Sequence, residues 1–112
     1  MASILLGQFN GYNTSYGNYN VYFQYDGTSR SGTTITIYNA KLYFVKIGTG
    51  YTTNRLATSG SIGGQINWSN ITLNPSGTES PASMTYNIGT VNITDVPYTT
   101  STISLSVQAK GT

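Results

Sequence analysis

The segment "NYNVYFQYD", residues 18–26, alternates apolar and polar side chains with a period of two. Alternate residues, which we call one parity of the strand, are apolar: Tyr19, Val21, Phe23 and Tyr25. The other parity carries asparagine, glutamine and aspartate, and Tyr22 is its one aromatic member. Because successive side chains of a strand point to opposite faces, this pattern predicts a β-strand with one buried face.

The same chemistry recurs along the chain, and no stretch has a helical period. Thr, Tyr, Ile and Val dominate the apolar stretches, and turn-forming residues interrupt them roughly every ten residues. This spacing predicts an all-β fold, an antiparallel β-sandwich of about seven strands and of immunoglobulin-like size. An antibody-type domain is excluded because the chain has no cysteine.

Two irregularities in the alternation predict local distortions of strands. The apolar side chains change parity near Asn39, and a second change falls between Trp68 and Ile71. A change of parity within one strand indicates a β-bulge or a sharp bend. Between the strands, residues 26–32 ("DGTSRSG") are predicted to form a flexible turn, and residues 48–64 a long polar connection with room for a short strand.

Composition limits the classes of function. The chain has 112 residues, of which 7% are charged and 12% aromatic, with a net charge of +2. The length predicts one domain, and the aromatic content argues against disorder. The charge is too small for a nucleic-acid-binding surface, and no apolar run approaches a membrane span. A nearly neutral surface provides little repulsion between copies, which favours a protein packed against neighbours.

Catalytic chemistry has few candidates. The chain has no cysteine and no histidine, so a thiolate nucleophile and a histidine-based triad are excluded. Its acidic residues are Asp26, Glu79 and Asp95, each in a predicted turn where acids commonly form local hydrogen bonds. We therefore predict a protein that is not an enzyme and that has no cofactor and no metal site.

The N-terminal segment, residues 1–17, departs from the pattern of the predicted sandwich domain, residues 18–112. It carries an apolar cluster and spaced aromatic residues, which are the candidate docking residues Ile4, Leu5, Leu6, Phe9, Tyr12 and Tyr16. The segment is predicted to be either an extra edge strand of the same domain or an arm that docks on a neighbouring subunit. Because chain ends are usually loose unless something ties them down, we favour the arm.

Exposed aromatic rings and amides could alternatively bind sugars. The candidate glycan contacts are Tyr22, Tyr51, Trp68 and Tyr98, together with the Tyr12–Tyr16 pair. Trp68 shares its parity with Ile66, so the core is the favoured position for its indole. Tyrosine is also common at protein interfaces, and we rank a protein interface above a sugar site.

The strand order of "YNVYFQYDGTSRSGTTITIYNAKLYFV" and, after a polar loop, "SMTYNIGTVNITDVPYTTSTISLSVQA" resembles the small immunoglobulin-like accessory domains of tailed-bacteriophage virion proteins. The resemblance covers about residues 18–110 and concerns strand order and style rather than a diagnostic motif. It implies a virion protein that decorates or cements the capsid or belongs to the tail, assembled in the host cytoplasm. The implied partners are other virion proteins and copies of itself. A carbohydrate- or receptor-binding module for host-surface glycans is the alternative.

Overall fold

The computed structural model describes residues 1–10, 18–47, 55–76 and 82–111. These residues form eight β-strands and no helix, which confirms the all-β prediction. The strands are β1 (Ala2–Asn10), β2 (Asn18–Tyr25), β3 (Gly27–Ser31), β4 (Thr34–Ile47), β5 (Leu56–Ile62), β6 (Ile66–Leu73), β7 (Ser83–Ile93) and β8 (Leu105–Gly111).

The strands form two antiparallel sheets. In the five-stranded sheet, β4 is central: β2 and β3 pair with successive halves of one edge, and β7 pairs along the other. β1 lies outside β2 at the edge of this sheet. The three-stranded sheet has the order β6-β5-β8. Two antiparallel sheets that share one core are consistent with the predicted β-sandwich.

Both predicted changes of parity coincide with backbone irregularities. Asn39 has a φ of 53°, and the β4–β7 register shifts beside it. Asn70, between Trp68 and Ile71, has a φ of 54°. Asparagine tolerates this left-handed conformation better than most residues. Each irregularity returns the apolar side chains that follow it to the core side of their sheet.

The core is built from the inward parity of both sheets. Its largest fully buried members include Tyr19, Leu42 and Phe44 of the five-stranded sheet and Leu56 and Ile62 of the three-stranded sheet. The outward parities carry mainly Ser, Thr, Asn and Gln. Burial of the apolar parity is the main stabilising contribution that this arrangement makes.

The predicted flexible turn at residues 26–32 is wrong. Five of those residues form β3, which pairs with β4 from Gly27↔Tyr38 to Ser31↔Thr34. The turn itself has two residues, Gly32 and Thr33, and Gly32 has a φ of 62°. A two-residue hairpin turn with a glycine at its first position is a common connection between antiparallel strands.

Candidate functional site

Strand β1 presents an uncharged edge. It pairs with β2 on one side, and no described strand pairs with its other side. Its sequence, "ASILLGQFN", contains no charged residue and no proline. Natural proteins usually protect edge strands with such residues, because unpaired backbone groups otherwise recruit other strands. The outer edge of β1 is therefore a surface on which another chain could pair.

The same strand exposes large apolar side chains. The exposed fractions of Ile4, Leu5 and Leu6 are 47%, 56% and 38%. Ile4 and Leu6 both line the gap between the two sheets, because alternate residues of a strand point to the same face. The β1–β2 register shifts between Leu5 and Gly7. Leu5 lies opposite Tyr22 on the outer face. The three side chains thus flank the free edge on both faces of the sheet.

Behind β1, a cleft of about 540 Å³ opens between the sheets. Its lining is largely apolar and includes Phe23 and Ile37 from the five-stranded sheet and Ile103 and Leu105 from the opposite wall. Such a volume is within the range of ordinary ligand pockets. The cleft is continuous with the exposed side chains of β1, because Ile4 and Leu6 line it as well.

Arg30 lies at the rim of this cleft and binds the neighbouring loop. Its guanidinium donates to the carbonyl oxygens of Val96, Pro97 and Thr100, each at 2.7 Å, and to that of Gly32 at 3.0 Å. It also lies 5.7 Å from the ring centroid of Tyr98. These contacts hold the 96–100 segment against β3. Arg30 therefore positions a loop at the mouth of the cleft rather than offering an open anion site.

A second surface lies on the outer face of the five-stranded sheet. There the register places Leu5, Tyr22, Tyr43 and Thr85 in one row across β1, β2, β4 and β7. The ring centroids of Tyr22 and Tyr43 are 6.5 Å apart, and the rings are tilted by 42°. Both tyrosines are partly exposed.

The structure gathers some of the predicted site residues and separates others. Ile4, Leu5 and Leu6 lie together on β1, whereas the side chain of Phe9 and the residues Tyr12, Tyr16 and Tyr51 lie outside the described residues. Tyr22 lies on the outer face of β2, and Tyr98 is 76% exposed beside Arg30. The division of the chain into residues 1–17 and 18–112 stays a prediction.

Trp68 must be corrected as a glycan candidate. Its side chain is only 6% exposed and belongs to the core. The indole Nε1 donates to Thr58 Oγ1 at 3.3 Å, and Thr58 Oγ1 donates to the carbonyl of Gln108 at 2.9 Å. The indole contacts the ring of Tyr86 on β7, with centroids 5.9 Å apart. Burial of Trp68 between the sheets explains why no sugar could reach it.

The two described acidic residues, Asp26 and Asp95, each lie just beyond the end of a strand. Asp26 Oδ2 accepts a hydrogen bond of 2.7 Å from Asn39 Nδ2, beside the irregularity in β4. Asp95 follows β7 with a φ of 57°, and Glu79 lies outside the described residues. Among residues 1–10, 18–47, 55–76 and 82–111, no three acidic side chains group closely enough to hold a metal ion.

Tyr43 is the surface residue that our sequence analysis missed. It lies in "LYFV", residues 42–45, whose apolar residues occupy both parities and predict a central strand. The strand is central, but Tyr43 points outward between the inward-facing Leu42 and Phe44. The predicted outward position of Tyr22 could have indicated Tyr43, because aromatic side chains on neighbouring strands often pair across the face of a sheet.

Comparison of the chain with known protein families, with curated proteins and with solved structures found no significant match. The described residues also contain no helix that is long and apolar enough to cross a membrane.

Proposed function

We propose that this protein is a non-enzymatic structural subunit that packs against neighbouring proteins through the edge of β1 and the adjoining cleft. The observation that carries the proposal is the combination of an edge without charge or proline and the exposed side chains of Ile4, Leu5 and Leu6 on both of its faces. A strand added to β1 would satisfy its outward backbone groups, which is the mode of recognition known as β-augmentation.

The energetics favour such a contact. Full burial of a leucine or isoleucine side chain contributes about 1.5–3 kcal/mol, and about half of each of the three side chains is available for burial. The edge itself carries no charge that would repel a partner of either sign. A neighbour that pairs with β1 would also cover Ile4 and Leu6 at the entrance of the cleft.

The specific role that we propose is that of a bacteriophage virion protein, with an immunoglobulin-like sandwich that decorates or cements the capsid or belongs to the tail. The resemblance of residues 18–110 to virion accessory domains supports this assignment. The nearly neutral, hydroxyl-rich outer faces support it too, because they suit dense packing of many copies. The partners are copies of this chain and other virion proteins, and no cofactor is needed.

The docking surface is tested by the mass of the protein in solution. Light scattering after size exclusion should show association that increases with concentration. The double variant Ile4→Lys/Leu5→Lys should be monomeric, because lysine on an edge strand blocks pairing. Thr72→Lys is the matched control, since it places an exposed charge on the edge strand β6. Unchanged association of the double variant would contradict a role for β1.

The virion role needs a separate experiment. Mass spectrometry of purified phage particles from the host that carries the gene should find this chain in many copies per particle. If purified particles lack the chain, the virion assignment fails even where β1 mediates self-association.

A further inference from the structure

The outer face of the five-stranded sheet carries an aromatic row with a mainly polar row on each side. Tyr22 and Tyr43 are directly opposite each other on neighbouring strands. One adjacent row places Gln24, Lys41 and Asn87 side by side, and the other places Asn20, Val45 and Ser83 side by side. The rings of Tyr22 and Tyr43 are both partly exposed. The face therefore combines two rings with amide side chains, of which Gln24 Nε2 donates to Ser3 Oγ at 3.2 Å on the exposed surface.

The chemistry of this face matches a sugar chain. The apolar face of a pyranose carries C–H groups that pack against an aromatic ring, whose face is the negative end of its quadrupole. A side-chain amide both donates and accepts hydrogen bonds, as does a sugar hydroxyl. Rows of amides that flank two rings thus complement a ligand with apolar faces and hydroxyl-bearing edges.

The composition of the face argues against other partners. Lys41 is the single charged residue in these rows, whereas a nucleic acid would require several phosphate-neutralising cations. The core of a protein interface is largely apolar, whereas the apolar residues of this face are interspersed with amide and hydroxyl side chains. The rows contain no carboxylate that would bind a cation.

We propose that this face, centred on Tyr22 and Tyr43, binds a neutral polysaccharide. The adjacent strands are about 4.8 Å apart, so the rows extend for roughly 10 Å from β2 to β7, which suits a chain of sugars rather than a single one. The proposal does not depend on pairing at β1, because the two rings and the flanking amides belong to β2, β4 and β7.

Native affinity electrophoresis tests the proposal on the complete protein. Gels are cast separately with dextran, mannan, galactan and xylan as neutral probes, and with heparin as an anionic probe. We expect retardation in at least one neutral gel. Tyr22→Ala and Tyr43→Ala should lose it, and Gln24→Ala should weaken it. Tyr38→Ala is the matched control, because it removes an exposed tyrosine that pairs with Gly27, outside these rows, and should be retarded like the wild type.

Further variants separate binding from folding. Tyr43→Phe keeps the ring and should remain retarded, whereas Tyr43→Leu keeps apolar area without a ring and should not. Far-UV circular dichroism of each variant establishes that the fold is intact. No retardation in any neutral gel would overturn the proposal. So would retardation in heparin alone that Lys41→Gln abolishes, and so would equal retardation of Tyr43→Leu and the wild type.

Discussion

Replacement of Gly60 by alanine should destabilise the fold strongly, because Gly60 lies directly beneath the indole of Trp68. A Cβ at Gly60 would be 2.3 Å from Trp68 Cζ2 and 2.4 Å from the carbonyl oxygen of Ser106. Real contacts of this kind are essentially never shorter than 3.0 Å. Neither neighbour can yield easily, since one is a buried core residue and the other is backbone of β8.

The magnitude follows from these contacts. Overpacking of a core costs about 1–3 kcal/mol, and displacement of the indole would also weaken its hydrogen bond to Thr58, for about 1 kcal/mol more. We therefore expect a loss of about 2–4 kcal/mol, equivalent to a decrease of roughly 8–16 °C in Tm for a domain of this size. Trp68 is the one tryptophan of the chain, so its intrinsic fluorescence reports both the unfolding and the displaced ring.

Gly27→Ala is the control. Gly27 also lies in a strand, but a Cβ there would meet nothing within 4 Å, so its Tm should change little. The double variant Gly60→Ala/Trp68→Phe should be more stable than the sum of the single changes predicts, because the smaller ring relieves the contact with the indole and leaves only the contact with the Ser106 carbonyl. A Gly60→Ala protein with the Tm and the fluorescence spectrum of the wild type would refute this account of the core.

Three further changes test the other irregular features of the fold. Arg30→Ala removes four hydrogen bonds to loop carbonyls. We therefore expect the free energy of unfolding in urea to decrease by about 1–3 kcal/mol and proteolysis within residues 94–104 to be faster. Protection from proteolysis equal to that of the wild type would contradict this role. Gln65→Ala removes the contacts between the β5–β6 turn and Thr94, where the amide both donates and accepts, and should lower stability by about 1–2 kcal/mol, as measured by thermal unfolding. Asn39→Val should cost about 1–2 kcal/mol because valine resists a φ of 53°, whereas Asn39→Gly should be milder; the opposite order would argue against backbone strain at this position.

The alternation of side chains made most of the fold predictable. The strands with a clear apolar parity, such as β2 and β8, and the irregularity at Asn39 follow directly from residue types. β3 could not be recognised in the same way, because "GTSRS" is polar on both parities. Its strand conformation depends on the neighbouring β4, with which every residue of β3 pairs. Propensity in strands is set largely by such tertiary contacts.

The candidate sites were predictable only in part. Composition pointed to Ile4, Leu5 and Leu6, because three consecutive apolar residues followed by glycine fit no alternating face. The pairing of Tyr22 with Tyr43 depends on the register of two strands separated by the β3 hairpin, which no local pattern specifies. The cleft is likewise a property of the distance between sheets, for which the sequence carries no signal.

The position of β4 has a consequence for how the chain folds. Its pairing with β7 joins Ile35 to Ile93 and Val45 to Ser83, so residues distant in sequence must meet before the five-stranded sheet is complete. The loop entropy of such pairings must be overcome before their contacts form, which slows folding to the millisecond-to-second range. During synthesis, the edge of β4 that pairs with β7 is not fully paired until Ile93 has left the ribosome. In that interval, this apolar edge is accessible to other nascent copies of the chain.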